Sequence, residues 1–180
     1  MPERVPVSEE VVAFLKKLPI GHVTTFSKTV SESDVYLYGG IVGDLARNHV
    51  DSQYMASTPY GRRVAHGNLI LGYTAAASTR KLEEIGGDCV SYGYDRVRFV
   101  RPVYIGDTVN VTYRIERVVP EEGKSFSTVE VANQDGELCL VATHISRYFG
   151  APKEPTPRRA QASEEGPAAR APKEQGEHAC

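Results

Sequence analysis

The segment "GDLARNHVD", residues 43–51, contains side chains that could exchange protons. Asp44 and His49 are its acid and its base, and Asn48 and Asp51 stand beside the histidine. An imidazole with an ordinary pKa of about 6.5 can act as a base at neutral pH. Residues five apart on an ideal α-helix point about 140° away from one another. Asp44 and His49 can therefore form a proton-transfer pair only if the backbone between them departs from a helix.

A second stretch, "RRVAHGNLILG" at residues 62–72, could supply a group that binds an oxyanion. Gly67 has no Cβ and is predicted to begin a helix, where backbone N–H groups are unpaired and the helix dipole is positive. Such a helix end stabilises negative charge on a substrate oxygen. Arg62 and Arg63 precede it and could contact phosphate groups, although a solvated basic pair explains them equally well. An acid, a base and an oxyanion site together suit proton transfer beside a carbonyl.

The elements that must position these groups follow from the hydrophobic pattern. Residues 67–85 have apolar side chains at helical spacing, and their first three turns are apolar nearly all round, which predicts a long buried helix. A short helix capped by Ser8, a strand near residues 22–31 and a helix interrupted by Gly39 and Gly40 precede it. Alternating strands fill the chain after Gly86. The pattern predicts an α+β domain in which a meander of antiparallel strands curls around the long helix.

Three blocks of the sequence, in this order and spacing, resemble the MaoC-like, or hydratase-2, branch of the hot-dog-fold proteins. The family pattern D-x-N-P-L-H-x-D matches residues 44–51 at both acids and the histidine. A-H-G-M-L corresponds to residues 65–69, and R-P-V-x-x-G-D corresponds to residues 101–107. The resemblance covers about residues 22–148. It is specific because three separate blocks agree, whereas any one of them alone would be weak.

The resemblance implies a single hot-dog domain that works as a homodimer on a 2-enoyl or 3-hydroxyacyl thioester of coenzyme A. It makes Asp44 and His49 the catalytic pair that holds the water adding to C3 and exchanges the proton at C2, and it gives Gly67 N–H to the thioester oxygen. Asn48, Arg62 and His66 are the candidates for substrate binding. The implied enzyme is a hydro-lyase of fatty acid metabolism. It needs no metal or redox cofactor, and coenzyme A enters only as part of the substrate.

The sequence departs from the family where Ala46-Arg47-Asn48 replaces Asn-Pro-Leu before the histidine. The proline that shapes the turn is missing, Asn48 could replace the family asparagine from a shifted position, and the charge of Arg47 could face the pocket. Two alternatives stay open. A hot-dog thioesterase would release free thiol without hydration, and a non-catalytic acyl-thioester-binding protein would bind without turnover. Asp44 could also simply cap the backbone, and His49 could be an ordinary half-buried histidine.

Composition bounds the remaining possibilities. The formal net charge of −2 gives no electrostatic case for nucleic acid or an anionic membrane, and no apolar run is long enough to span a bilayer. Three widely spaced cysteines form neither a metal-ligand pattern nor a disulfide framework, which favours a reducing, cytoplasmic location. Residues 150–180 contain five of the eleven prolines and no Val, Ile, Leu, Phe, Tyr or Met. We therefore expect a folded domain over residues 1–149 and a disordered tail over 150–180.

Overall fold

The computed structural model describes residues 6–152, and these form five α-helices and five strands. The helices are α1 (Glu9–Leu15), α2 (Glu32–Val42), α3 (Arg47–Val50), α4 (Ser52–Ala56) and α5 (Gly67–Ile85). The strands are β1 (Val23–Thr29), β2 (Asp88–Phe99), β3 (Thr108–Val119), β4 (Lys124–Ala132) and β5 (Leu138–Gly150). The α+β prediction is confirmed, and α5 has the bounds that the sequence predicts.

The strands form one antiparallel sheet in the order β1-β3-β4-β5-β2. β3, β4 and β5 are a meander, but the prediction that all strands after α5 form one is wrong for β2. This strand pairs with β5 and forms the edge of the sheet opposite β1. The chain crosses between the edges of the sheet through α5, since β1 lies before this helix and β2 after it, and these two strands form the opposite edges. One consequence is that β2 has a free long edge within residues 6–152.

The long helix α5 is buried along one stripe rather than all round, which corrects the sequence prediction. Its buried side chains recur at helical spacing and are Leu69, Ile70, Thr74, Ala77, Ser78 and Lys81. Gly72 and Ala75 on the opposite side are exposed to solvent. Apolar residues on every face of a helix predict burial all round, but the small ones on the outer face of α5 are in contact with solvent. The buried stripe packs mainly on β1 and β3.

The interior has two apolar clusters separated by a polar layer. One cluster surrounds the first half of α5, and the other lies between α1 and the far ends of the strands. Along β5, Ala142 belongs to the first cluster and Tyr148 to the second, while His144 and Ser146 between them are polar and buried. From α5, the fully buried Lys81 donates from Nζ to Ser146 Oγ at 3.2 Å. We call the buried side chains of His144, Ser146 and Lys81, together with the hydroxyl groups that form hydrogen bonds with them, the polar layer.

The helix α2 continues through Gly39 and Gly40, so the predicted interruption is wrong. A capping box at Ser31 and Asp34 begins the helix, and Gly43, in a left-handed conformation with φ of 77°, ends it. The glycines do not break α2 because Gly39 is buried and lies against the loop that follows the helix. A Cβ there would meet Asp44 O at 2.8 Å and Leu45 Cδ2 at 2.9 Å. Close packing, and not a turn, accounts for this glycine.

The ends of the described chain agree with the sequence in part. Ser8 caps α1 and accepts from Val11 N–H at 3.3 Å, as predicted. β5 continues to Gly150, one residue past the predicted boundary at 149, and Pro152 then lies against Gly86. The predicted tail from residue 153 onward lies outside the described residues, and the domain boundary stays a prediction. No helix within residues 6–152 has the length and apolar character needed to cross a membrane.

Candidate active site

The backbone between Asp44 and His49 leaves the helix in the way the acid–base hypothesis requires. After Gly43 ends α2, residues 44–46 are non-helical, and a single turn, α3, carries His49. Ala46 N–H donates to Asp44 Oδ1 at 3.3 Å, so the acid itself stabilises this turn. Asp44 Oδ2 and His49 Nε2 lie 3.8 Å apart. The two side chains therefore converge although the proline of the family pattern is absent.

Arg47 occupies the first position of α3, and its charge does not face the pocket. Its guanidinium bonds Asp51 Oδ2 from Nε at 3.0 Å and lies 3.9 Å above the Tyr54 ring. Asp51 also accepts from Tyr54 N–H at 2.9 Å as the cap of α4, and this bond is the main cause that lowers the pKa of its carboxyl. The expectation that Arg47 could alter the pocket is wrong. Asp51 has a local capping role.

The hydrogen bonds of His49 define which of its nitrogens can accept a proton. Nδ1 lies 2.7 Å from the carbonyl oxygen of Val64, which can only accept, so Nδ1 carries the hydrogen. In the neutral ring, Nε2 then has a free lone pair, and it accepts from Asn48 Nδ2 at 3.0 Å. The residue is buried. His49 is thus held with its basic nitrogen toward Asn48 and the Asp44 carboxylate.

His66 lies directly behind the pair and fixes its geometry. Its ring stacks on His49 with centroids 3.7 Å apart, and Tyr38 contacts its other side. Nε2 donates to the backbone oxygen of Asp44 at 2.8 Å. Nδ1 is buried and has no partner among the described residues. The imidazole therefore joins the loop of Asp44 to the N-terminus of α5, a role in ordering the site rather than the predicted contact with substrate.

Asp44, His49 and His66 also place possible metal-ligand atoms within 4.8 Å of one another. The hydrogen bonds disfavour a metal in this arrangement, because His66 Nε2 uses its proton on Asp44 O and has no lone pair to offer there. The two imidazoles are stacked with an angle of 23° between their planes, so their nitrogens do not converge on one point. The donor set fits proton exchange better than metal coordination.

A cavity of about 800 Å³ opens beside the pair. Asn48, His49 and Gly67 form its polar end, and Phe99, Arg101 and the backbone around them form its rim. Its apolar wall includes Met55, Ala65, Ile70, Val103, Cys139 and Leu140. Asp44 is not among the residues of 6–152 that line it, and 51% of the Asp44 side chain is exposed in the single chain. The residues that line the cavity suit a ligand that has an apolar chain and a polar group at one end.

The predicted oxyanion group lies at the polar end of this cavity. Gly67 is the first residue of α5, so its N–H has no partner within the helix. The ring of Phe99 covers the glycine: a Cβ on Gly67 would meet ring carbons at 2.9 to 3.0 Å. Sequence reasoning missed Phe99. Its only signal was its place two residues before the third family-like block, residues 101–107.

Arg62, like Asp44 and His66, is a predicted site residue that is not among the residues of 6–152 lining the cavity. Its guanidinium lies 3.9 Å above the Tyr104 ring and 3.6 Å from Asp107 Oδ1. Asp107 is buried and accepts from Tyr104 N–H at 2.9 Å, so it stabilises the turn before β3. The Arg62 side chain is largely exposed and could swing toward a phosphate only by leaving this contact. Arg63 pairs with Glu32 at 2.6 Å instead.

Comparison with known proteins agrees with the fold and the sequence blocks. Residues 17–137 match the family described as the MaoC like domain, and the chain belongs to this family. An (R)-specific enoyl-CoA hydratase from Rhodospirillum rubrum is 34% identical over 118 residues, which are 66% of this chain and 78% of that protein. A 3-hydroxybutyryl-CoA dehydratase from Methylorubrum extorquens is 31% identical over 114 residues, covering 63% and 71%.

Solved structures give the same fold. The (R)-hydratase from A. caviae superposes with a TM-score of 0.67 at 20% identity, covering 73% of this chain and 98% of its own. An unliganded R-hydratase from Pseudomonas aeruginosa superposes with a TM-score of 0.63 at 25% identity, covering 78% and 86%. The prediction of a hot-dog fold and of the MaoC-like family is confirmed.

Proposed function

We propose that this chain is an enoyl-CoA hydratase that also catalyses the reverse reaction, the dehydration of a 3-hydroxyacyl-CoA. The observation that carries the proposal is His49, whose Nε2 is held as an acceptor 3.8 Å from the Asp44 carboxylate beside a cavity of about 800 Å³. Membership in the MaoC-like family and relatives named as hydratases and dehydratases support the reaction class. One transition state serves both directions.

The proposed mechanism uses three groups. His49 Nε2 accepts a proton from a water that Asp44 helps to hold, while the water oxygen forms its bond to C3. The electron pair of the C2–C3 double bond moves toward the thioester, and Gly67 N–H stabilises the negative oxygen that results. The Asp44/His49 pair then returns one proton to C2, so the pair ends with the protons with which it began. No redox step and no metal is needed for this balance.

The substrate follows from the shape of the cavity. An acyl chain would lie along the apolar wall formed by residues such as Met55, Ile70 and Leu140, with the thioester at Gly67. Asn48 would contact the attacking water or the thioester, since its amide already faces His49 Nε2. The coenzyme would extend outward past the rim, where Arg62 could meet a phosphate. We place this reaction in cytoplasmic fatty acid metabolism, with coenzyme A present only as part of the substrate.

We further propose that the working form is a homodimer. The edge strand β2 pairs on one side only within the described residues and exposes Val90 and Tyr92. An apolar free edge of this length favours pairing with a second copy. Light scattering should give twice the chain mass, and Val90→Glu should shift the protein toward monomer; a wild-type monomer would contradict the dimer.

The most direct test is turnover on a panel of 2-enoyl-CoA esters of short, branched and long chains. Loss of absorbance of the conjugated thioester reports hydration, and a thiol reagent in parallel reports release of coenzyme A. We expect hydration without thiol release. Thiol release without hydration would indicate a thioesterase, and tight binding of the esters without either reaction would indicate a non-catalytic binding protein. Either of these results would overturn the proposal.

A further inference from the structure

The strand β2 contains an irregularity a few residues before it reaches the cavity. Asp95 pairs with Thr143 of β5, and Arg98 pairs with Val141. Three steps along β2 therefore match two steps along β5, so β2 carries one extra residue at this point. An extra residue reverses which side chains face each side of the sheet beyond it. In an unbroken ladder Arg98 would stand opposite Leu140, whereas Phe99 does so here.

This bulge stores backbone strain. Arg96, within it, has φ of 55°, and it is the one non-glycine residue with positive φ among the described residues. A side chain in the left-handed region costs roughly 1 kcal/mol or more and persists only where the surrounding structure imposes it. Bulges of this kind often re-aim a side chain beside an active site. The strained residue here is followed, three positions later, by a side chain of the candidate site.

The re-aimed side chain is Phe99, and its ring lies against the glycine whose N–H is the proposed oxyanion-binding group. Its ring carbons are 2.9 to 3.0 Å from where a Cβ of Gly67 would stand, and both residues line the cavity. The ring is not held there as part of the core, because 51% of Phe99 is exposed. Gly67 thus has a second role besides its free N–H: only a residue without a side chain lets the ring approach the helix end so closely.

We infer that Phe99 is a positioning residue that holds the thioester carbonyl against Gly67 N–H and excludes water from that hydrogen bond. This inference rests on the proposed hydratase function. A hydrogen bond to a developing oxyanion is stronger where water is absent, because the local dielectric constant is lower. An apolar ring over the helix end also leaves the carbonyl oxygen one favourable partner, the N–H. The bulge at Arg96 acts by placing this ring.

The first experiment replaces Phe99 in the full chain. Phe99→Ala should lower kcat about 10- to 100-fold, as expected for weakening one oxyanion interaction, while KM changes less than about threefold. Phe99→Leu retains an apolar cover and should recover most of kcat. Circular dichroism and thermal melting check that both variants fold. Equal kcat for wild type and Phe99→Ala, or a loss confined to KM, would overturn the inference.

A double-mutant cycle tests the contact between the ring and the glycine. Gly67→Ala should displace the ring and lower kcat, but in Gly67→Ala/Phe99→Ala the added methyl no longer meets a ring. We therefore expect the double variant to lose less activity than the product of the two single losses. Strictly multiplicative losses would show that the two residues act independently and would overturn the role of the contact.

The bulge gives a matched pair of variants outside the cavity. Arg96→Gly accommodates positive φ and should keep kcat at the wild-type value, whereas Arg96→Val disfavours that conformation and should lower kcat as Phe99→Ala does. Equal activity of the two Arg96 variants would contradict the role of the bulge. If wild type hydrates no enoyl thioester, the proposed function fails together with this inference. If wild type is active and Phe99→Ala is equally active, only this inference fails.

Discussion

At the scale of single residues, the candidate site depends on backbone oxygens as much as on side chains. The carbonyl of Val64 selects the tautomer of His49, and the carbonyl of Asp44 receives the proton of His66. Both carbonyls belong to loops, and neither could be identified from residue types. The stacked imidazoles are therefore oriented by the chain around them, which leaves His49 Nε2 free to act as a base.

The first prediction concerns the acid–base pair. Asp44→Asn and His49→Ala should each lower kcat for hydration by at least about 100-fold, because each removes one partner of the proton exchange. Both variants should stay folded, since Asn can still accept from Ala46 N–H and the site lies at the edge of the core. Steady-state kinetics and thermal melting measure the two effects.

The matched control is Asp51→Asn, the same substitution seven positions along the chain. Asn at residue 51 can still cap α4 and should leave kcat within about twofold of wild type. Retained hydration in either Asp44→Asn or His49→Ala would contradict the assigned pair. A loss in Asp51→Asn as large as in Asp44→Asn would show that the whole turn matters, and not the pair.

Much of the site could be predicted because its groups lie in short sequence blocks. Asp44, His49 and Gly67 are recognisable from type, spacing and helix position. Phe99 and Tyr38 were not, because they reach the site only through strand register and helix packing. The contact of Arg62 with the Tyr104 ring was not predictable either, since no local pattern shows that Tyr104 lies under its guanidinium.

At the scale of elements, α2 shows why glycines mislead sequence interpretation. Two adjacent glycines normally mark a break, but α2 continues through both and ends at a third, Gly43. Gly39 is needed because the Asp44 loop packs directly on it. The contact joins the helix to the residue that is proposed to handle the proton. The sequence predicts that α2 exists, but it does not show which glycine is required for packing.

The second prediction compares the two adjacent glycines of α2. Gly39→Ala should lower both stability and kcat, because its Cβ would lie 2.8 Å from Asp44 O and push the loop away. Gly40→Ala meets nothing within 4 Å and should stabilise the protein by about 0.5 to 1 kcal/mol through helix propensity. Denaturant unfolding and kcat measure the pair. A stabilising Gly39→Ala with full activity would contradict the packing argument.

The long helix and the strands were predictable for the opposite reason: their hydrophobic patterns are local. α5 has the predicted bounds because apolar spacing, the glycine at its start and the charged residues near its end all agree. The position of β2 at the far edge was not predictable. Strand order depends on how the chain crosses over α5, and no local pattern encodes it.

At the scale of the whole molecule, the polar layer makes the free energy of unfolding depend on pH. His144 is buried, with Nδ1 2.7 Å from Tyr113 OH and Nε2 2.8 Å from Ser91 Oγ. Burial is the main cause, and the nearby Lys81 charge a second one, that lowers the pKa of His144 to about 4. The folded state therefore holds a neutral imidazole where the unfolded chain would take up a proton near pH 6.5.

The third prediction follows from this difference. Because the unfolded state binds more protons between pH 6.5 and about pH 4, the free energy of unfolding should fall as pH decreases through that window. The contribution of His144 is present in full above pH 6.5, and its loss at the acid end is about 3 kcal/mol.

The measurement compares urea midpoints from pH 7 to pH 4 in wild type and His144→Gln. The variant should start less stable, because buried hydrogen bonds are altered, but its midpoint should vary less with pH over this range. The difference in slope, rather than the difference in stability, carries the test. Parallel slopes in the two proteins would contradict the assignment to His144.

The polar layer divides the interior of the protein into two parts that acid can affect differently. At about pH 4, protonated His144 would place a second positive charge beside Lys81, between the apolar cluster that lines the cavity and the one that holds α1. Amide protons of α1 and of the neighbouring strand ends should then exchange with solvent sooner than those of the first turns of α5. Acid would thus loosen the end remote from the cavity first, and within residues 6–152 the segments around the cavity would unfold last.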